Sequence, residues 1–159
     1  MKVISIIGFS NSGKTSLITQ LVELLTNQGY RVGVVKHSDK KVDLDKEGKD
    51  SWRIFKAGYD VAVLSPVKFA YRARRELSLI EILRYFEDYD YVFVEGFKSD
   101  IRNGIAVVRS HEELDELLKQ IDQSRLAGIY FRDEMGVEVD GFRVFNDVND
   151  LFEFIIHEL

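Results

Sequence analysis

The run Gly8-Phe9-Ser10-Asn11-Ser12-Gly13-Lys14-Thr15 limits the folds open to this chain more than any other feature. It fits the pattern G-x-x-x-x-G-K-[ST], in which backbone N–H groups turn inwards around phosphate oxygens. That geometry needs a strand ending before the first glycine and a helix beginning after the second, so that the positive end of the helix also faces the anion. Both are present. Residues 2–7 are a short apolar run rich in Val and Ile. From Lys14 the period changes: Leu17, Leu21, Leu24 and Leu25 share one helical face with Ile18 and Val22 beside them, and Gly29 supplies the stop. Residues 31–36 read as a second strand, and strand, loop, helix and strand make a βαβ unit with a right-handed crossover and a parallel sheet. In this setting Lys14 is expected to neutralise β- and γ-phosphates and Thr15 to ligate magnesium, with Gly8, Ser10, Asn11, Ser12, Gly13 and Ser16 around the phosphates.

The rest of the chain alternates in the same way. A polar stretch at residues 39–49 leads to a predicted helix at 50–57 that stops at Gly58, then to a buried strand at 61–64. Ser65-Pro66 turns the chain, and Val67, Phe69 and Tyr71 alternate with Lys68 and Arg72 as a returning strand. Ser78 with Glu81, and Ser110 with Glu113, are capping boxes ahead of two further helices. Strands are predicted at 91–94, ending in Glu95-Gly96, at 105–108 and at 126–131; a hairpin turned by Asp140-Gly141 is predicted over 137–145, and a last helix carries Leu151, Phe152 and Ile155. The expected architecture is a single domain over residues 1–159: an α/β three-layer P-loop NTPase fold with a mainly parallel sheet and an added β-hairpin or edge strands.

A magnesium site on such a sheet needs an acid at the carboxyl end of a neighbouring strand. Glu95 stands there, whereas Asp90, at the opposite end of the same strand, reads as a solvated entry residue. The charged run Lys36, His37, Asp39, Lys40, Lys41, Asp43, Asp45, Lys49, Asp50 and Arg53 leaves the same sheet edge as the phosphate loop. Lys36, His37 and Asp50 therefore either reach the nucleotide and its metal or belong to a solvated loop. Lys98-Ser99-Asp100 has the letters of a guanine-reading K-x-D element but follows the wrong strand, and His157 reads as a polar position on the last helix. With no cysteine there is no disulfide, thiolate zinc site or iron–sulfur cluster, and a net charge of −5 provides no field for nucleic acid or anionic lipid. No apolar run is long enough to span a bilayer, and the N-terminus does not read as a signal peptide, so a cytoplasmic location is expected.

Three stretches together resemble the MobB-type family of molybdopterin-guanine dinucleotide biosynthesis adaptor proteins. They are the phosphate loop; Val35-Lys36-His37 leading to Asp43-Leu44-Asp45 and Gly48-Lys49-Asp50-Ser51, with Arg53 and Ala57-Gly58 behind; and Val94-Glu95-Gly96-Phe97-Lys98. The resemblance covers roughly the first two thirds of the chain. It implies a homodimeric GTP- and Mg2+-binding protein with feeble hydrolysis, supporting the guanylyltransferase that joins GMP to molybdopterin. It also implies that Lys14 and Thr15 hold phosphate and magnesium, that Glu95 is the acidic strand-end residue, and that Asp50 lies near the metal. The chain departs from the family pattern after His37, where Asp39, Lys40 and Lys41 replace further histidines, and at Glu47, which replaces a proline.

The rival reading is a small-molecule kinase or ligase using ATP on the same scaffold, with Lys36 or Asp50 serving a second substrate and Arg72, Arg74 and Arg75 forming a lid. That basic strand is equally a candidate surface for the phosphate of molybdopterin or for a partner protein. Slow hydrolysis is expected, because Phe97 and Lys98 follow Glu95-Gly96 where a water-positioning glutamine would stand, leaving Lys14, Asp50 and Glu95 as the candidate catalytic groups.

Overall fold

Strands that are apolar at every position need cover on both faces, and a parallel sheet with helical crossovers supplies it. The computed structural model, which describes residues 1–38 and 45–159, meets that need with a six-stranded sheet. Its strands are β1 (Lys2–Ile7), β2 (Val32–Lys36), β5 (Tyr91–Glu95), β6 (Gly104–Val108), β7 (Leu126–Phe131) and β8 (Val144–Phe145), in the spatial order β2-β5-β1-β6-β7-β8. All five pairings are parallel. Helices α1 (Lys14–Asn27) and α5 (Val148–His157) cover the face formed by Ile4, Ile6, Phe93, Ile105 and Val107. On the other face α3 (Leu79–Leu83), which continues as a 3-10 turn, covers Val92 and Val94, while α4 (His111–Leu118) covers Ala106 and Val108. This is the expected three-layer arrangement. Among the described residues no helix is long and apolar enough to cross a membrane.

Contacts divide the chain into two units, Met1–His37 with Leu79–Leu159, and Ser38–Ser78. The second holds α2 (Asp50–Lys56) and an antiparallel pair, β3 (Val61–Leu64) and β4 (Phe69–Arg72). Within it Asp45 accepts from Arg72 Nη1 at 2.9 Å and from Ser51 Oγ at 3.1 Å, and the Arg72 guanidinium lies 3.9 Å from the centre of the Phe55 ring. The candidates Asp39, Lys40, Lys41, Asp43 and Leu44 lie outside the described residues.

Three expectations are corrected. The strand at 61–64 is not buried: Val63 is 47% and Leu64 76% exposed, because a two-stranded ribbon has no neighbouring strand and too little helix to cover both of its faces. The hairpin expected over 137–145 does not form. Asp140-Gly141 does sit in a turn, closed by Phe142 N donating to Val139 O at 3.1 Å, but Val144–Phe145 runs parallel to β7, pairing Ile129 with Val144 and Tyr130 with Phe145. Phe145 is buried in the α1–α5 layer, which a local hairpin would not allow. The βαβ unit is present as expected, with β5 standing between its two strands, Ile6 opposite Glu95 on one side and Lys36 opposite Glu95 on the other. The Ser110 cap does form, its Oγ accepting from Glu113 N, but Glu113 reaches back to Arg109 N at 2.7 Å instead of to Ser110.

Candidate functional site

The parallel register brings the ends of β2, β5 and β1 level, and the residues that follow β1 turn across this edge. Gly8 has φ +155° and a Cβ there would lie 2.3 Å from Val107 O and 2.7 Å from Ser12 Oγ, so only glycine lets the loop lie on β6. Asn11 and Gly13 also have positive φ, 64° and 100°. The loop thus closes tightly and delivers the chain to the start of α1, where no side chain caps the first-turn N–H groups. Beneath it the fully buried Ser12 Oγ has no hydrogen-bond partner within the protein. A buried hydroxyl left in that state costs about 1–3 kcal/mol, which a bound acceptor would relieve.

Around the loop the candidates converge. Lys14 Nζ donates to Phe9 O at 2.6 Å. Burial lowers its pKa, with nearby Glu95 pulling the other way and Lys36 and Lys98 adding to the depression. Thr15 Oγ1 donates to Glu95 Oε2 at 3.1 Å, Lys36 Nζ lies 3.1 Å from Glu95 Oε1, and the same ammonium reaches Thr15 Oγ1 at 3.4 Å. Ser10, Asn11, Gly13, Lys14, Thr15, Ser16, Lys36 and Glu95 line one open cleft of about 380 Å³. Gly8 and Ser12 lie below it as backbone and buried support.

One candidate of the first unit stands beside this cleft and not in it. His37 anchors the turn beyond it: its N–H donates to Glu95 O at 2.8 Å, its ring packs on Phe97 with 4.4 Å between centroids, and a Cβ at Gly96 would lie 2.9 Å from its own Cβ. Asp50 opens α2 in the second unit, as the acidic residue of that helix's first turn. Asp90 is exposed and ties β2 to β5 by accepting from Arg31 N at 2.8 Å. Lys98-Ser99-Asp100 does not gather as a reader: Lys98 donates to Gln120 and Asp100 pairs with Arg102. His157 pairs with Glu153 on the exposed side of α5.

Two further residues stand beside the loop, and of these Arg132 escaped the motif reading. Lys98 Nζ stands 5.0 Å from the centre of the Phe9 ring. Arg132 donates from Nη1 to Asn11 O at 3.3 Å, and its Cδ is 2.8 Å from where a Gly13 Cβ would stand. The available signal was position alone: Arg132 is the first residue after an apolar parallel strand, at the end where such sheets take ligands.

The donor set suits a magnesium nucleotide. Thr15 and Glu95 offer hard oxygen ligands, and magnesium is ordinarily held by one or two such groups together with phosphate oxygens and water. Lys36 places a positive charge between the same two oxygens, so a metal entering there meets a resident cation.

The chain resembles known proteins over most of its length. A family model described as molybdopterin guanine dinucleotide synthesis protein B matches residues 3–130. The molybdopterin-guanine dinucleotide biosynthesis adapter protein of Haemophilus influenzae is 36% identical over 130 residues, which cover 79% of this chain and 72% of that one. A relative from Methanocaldococcus jannaschii is 36% identical over 104 residues, 64% of this chain but 43% of its own length, so this chain spans less than half of that protein. The crystal structure of Bacillus subtilis MobB superposes with a TM-score of 0.82 at 25% identity, covering 100% of this chain and 98% of that one.

Proposed function

The chain belongs to the molybdopterin guanine dinucleotide synthesis protein B family, and on that premise we propose that it is a GTP-binding adaptor. In this reading it binds GTP with magnesium, hydrolyses it slowly and assists a guanylyltransferase in making molybdopterin guanine dinucleotide. The observation that carries the reading is the meeting of Lys14, Thr15 and Glu95 at the mouth of a loop whose buried Ser12 hydroxyl lacks a partner.

Each residue then has a distinct task. The N–H groups around Gly8, Asn11 and Gly13 and the open start of α1 hold phosphate oxygens. Lys14 exchanges the Phe9 carbonyl for β- and γ-phosphate oxygens, which stabilise the charge that burial disfavours. Thr15 and Glu95 would hold magnesium, at the two oxygens that Lys36 now contacts. When bound, magnesium supplies charge neutralisation for the γ-phosphate. The resemblance also implies a place near the metal for Asp50. Slow hydrolysis follows from what stands next to Glu95. Phe97 cannot orient a water, and Lys98 is a donor held by Gln120 and the Phe9 ring.

The output is a protein complex. Val63, Leu64, Val67 and Phe69 are 47–86% exposed, apolar surface of the kind that supports a homodimer or a docked transferase. The kinase reading gains no such support, since the lid arginines Arg72 and Arg74 are tied within their own unit to Asp45 and to Phe55 O.

Equilibrium binding of labelled GTP with magnesium, in competition with ATP, tests the proposal directly. Lys14→Ala should weaken binding at least about thirtyfold, the lower bound for removing one partner of a hydrogen-bonded charge pair, while leaving the fold intact. Wild-type phosphate release should stay well below about one per second. Undiminished affinity in Lys14→Ala, or turnover of many per second by the isolated chain, would overturn it.

A further inference from the structure

Glu95 is a buried carboxylate at the end of a strand flanked on both sides, and a charge in that position needs a partner. Lys36 is the partner. It closes the edge strand β2 directly opposite Glu95 in the parallel register, and its Nζ lies 3.1 Å from Glu95 Oε1. The same ammonium donates to Thr15 Oγ1 at 3.4 Å, and Thr15 Oγ1 donates to Glu95 Oε2 at 3.1 Å. Lys14, near enough to feel the charge of Glu95, is engaged with the Phe9 carbonyl instead. A single cation therefore ties together the ends of β2 and β5 and the first turn of α1.

The groups that hold Lys36 are the ones a magnesium ion would take. Adjacent ligands of an octahedral ion with bonds of about 2.0–2.1 Å stand about 2.9 Å apart, close to the 3.1 Å between Thr15 Oγ1 and Glu95 Oε2. An ammonium within hydrogen-bond reach of both residues and a divalent ion bonded to both cannot share that space, and their charges repel. What else is present decides between them. Without nucleotide the seat offers a metal the oxygens of Thr15 and Glu95, whereas magnesium ordinarily draws on phosphate oxygens as well and gives up its water reluctantly. Lys36 is tethered beside the seat and keeps much of its side chain in solvent, so it holds the empty site at little cost.

We infer that Lys36 is a built-in counter-ion for the metal seat, keeping free metal out of the empty site and yielding only when a triphosphate adds its own oxygens. The inference rests on the nucleotide-binding reading above and adds how metal and nucleotide are coupled. A triphosphate that enters without metal still meets a positive charge in the seat, so Lys36 serves its phosphates in the metal's place. A triphosphate that brings magnesium supplies both the missing ligands and further negative charge, and the balance turns to the divalent ion. Lys36 can then leave by rotation of its side chain alone, because that side chain is 58% exposed and the pairing with β5 holds only its backbone. Lys36 is a positioning residue in this scheme, acting on the metal through Glu95 and Thr15.

The test measures metal alone. Manganese stands in for magnesium, because its paramagnetism distinguishes bound from free ion, and it is titrated into nucleotide-free protein. Lys36→Met removes the charge at an exposed position and opens no cavity, so the fold should persist. This variant should bind free manganese at least about tenfold tighter than the wild type, and GTP in a chelator at least about tenfold more weakly, the scale of one hydrogen bond to a charged group. Lys36→Arg keeps the charge and should stay close to the wild type in both measurements. Lys98→Met removes a neighbouring cation engaged with Gln120 and the Phe9 ring, and should tighten manganese much less than Lys36→Met does. Unchanged manganese binding in Lys36→Met, or equal tightening in Lys98→Met, would overturn the inference and reduce Lys36 to a cross-strand ion pair. Binding of GTP with magnesium by the wild type would leave the nucleotide reading standing in that event. A wild type that binds no GTP with or without metal would remove the nucleotide reading itself, and this inference with it.

Discussion

The two units of this chain contain the same kinds of apolar side chain and dispose of them in opposite ways. In the six-stranded unit Ile4, Ile6, Phe93 and Val92 are 0% exposed; in the hairpin unit Leu64, Phe69 and Val67 are 76%, 63% and 86% exposed. Composition does not explain the contrast, because Val-Ala-Val-Leu in β3 reads much like Val-Phe-Val in β5. Topology does. A parallel strand arrives with a crossover helix on each side of its sheet, whereas a ribbon of two antiparallel strands carries no such cover. The first unit satisfies itself and can build a rigid site at one edge. The second leaves apolar surface open, and in the proposed adaptor this is surface for another protein.

The largest effect should come from setting one aromatic against the other. Phe93→Ala empties a fully buried position and should cost about 3–5 kcal/mol in denaturant unfolding, whereas Phe69→Ala should stay within about 1 kcal/mol for the monomer. Equal losses at low protein concentration would show that Phe69 is covered within the monomer, and the contrast between the units would collapse. If the hairpin is an interface, Phe69→Ala should also lower the apparent dimer mass on dilution.

A smaller effect compares Glu95 with Asp50, the other acid that the resemblance implies near the metal. Glu95→Gln should weaken GTP binding in magnesium by about tenfold or more while scarcely changing binding in a chelator, since it touches Thr15 and Lys36. Asp50→Asn should show the same magnesium signature with a lesser loss. A loss in Asp50→Asn that is equal with and without magnesium would remove Asp50 from the proposed metal ligands.

The smallest effect is a pH dependence confined to the first unit. Burial is the main cause that lowers the Lys14 pKa in the free protein, and a bound phosphate would raise it again. Affinity should therefore be full below the free-protein value and fall as pH rises through it, by no more than about tenfold per pH unit. Proton uptake on binding at alkaline pH, measured calorimetrically in buffers of different ionisation enthalpy, should vanish in Lys14→Ala. Proton uptake that persists in the variant would assign the dependence to another group.

Much of the site could be read from local rules. A glycine pair, a lysine and a threonine between an apolar strand and an amphipathic helix specify a phosphate loop, because the backbone conformations and the helix end are local properties. Glu95 was legible as well, since the carboxyl end of an apolar parallel strand is a predictable place for a ligand. The five helices among the described residues were readable from their period and stops, and the βαβ start set the fold class.

Strand order was decided only in three dimensions. That β5 inserts between β1 and β2, and so brings Lys36 level with Glu95, depends on which long-range pairing buries the most apolar surface. The same competition took Val144–Phe145 into a parallel edge position instead of the hairpin that Asp140-Gly141 suggested. Exposure of the β3–β4 ribbon was invisible for the same reason, since a local pattern of apolar residues records what could be buried and says nothing of what arrives to bury it. Arg132 had no motif to announce it. Only the placement of β7 beside β6 carries its guanidinium back to Asn11, 121 positions earlier in the chain. Local sequence determined the phosphate loop because a loop's backbone conformation is a short-range matter. The partners around that loop were left to the tertiary structure, because contact between distant segments is set by the packing of the whole sheet.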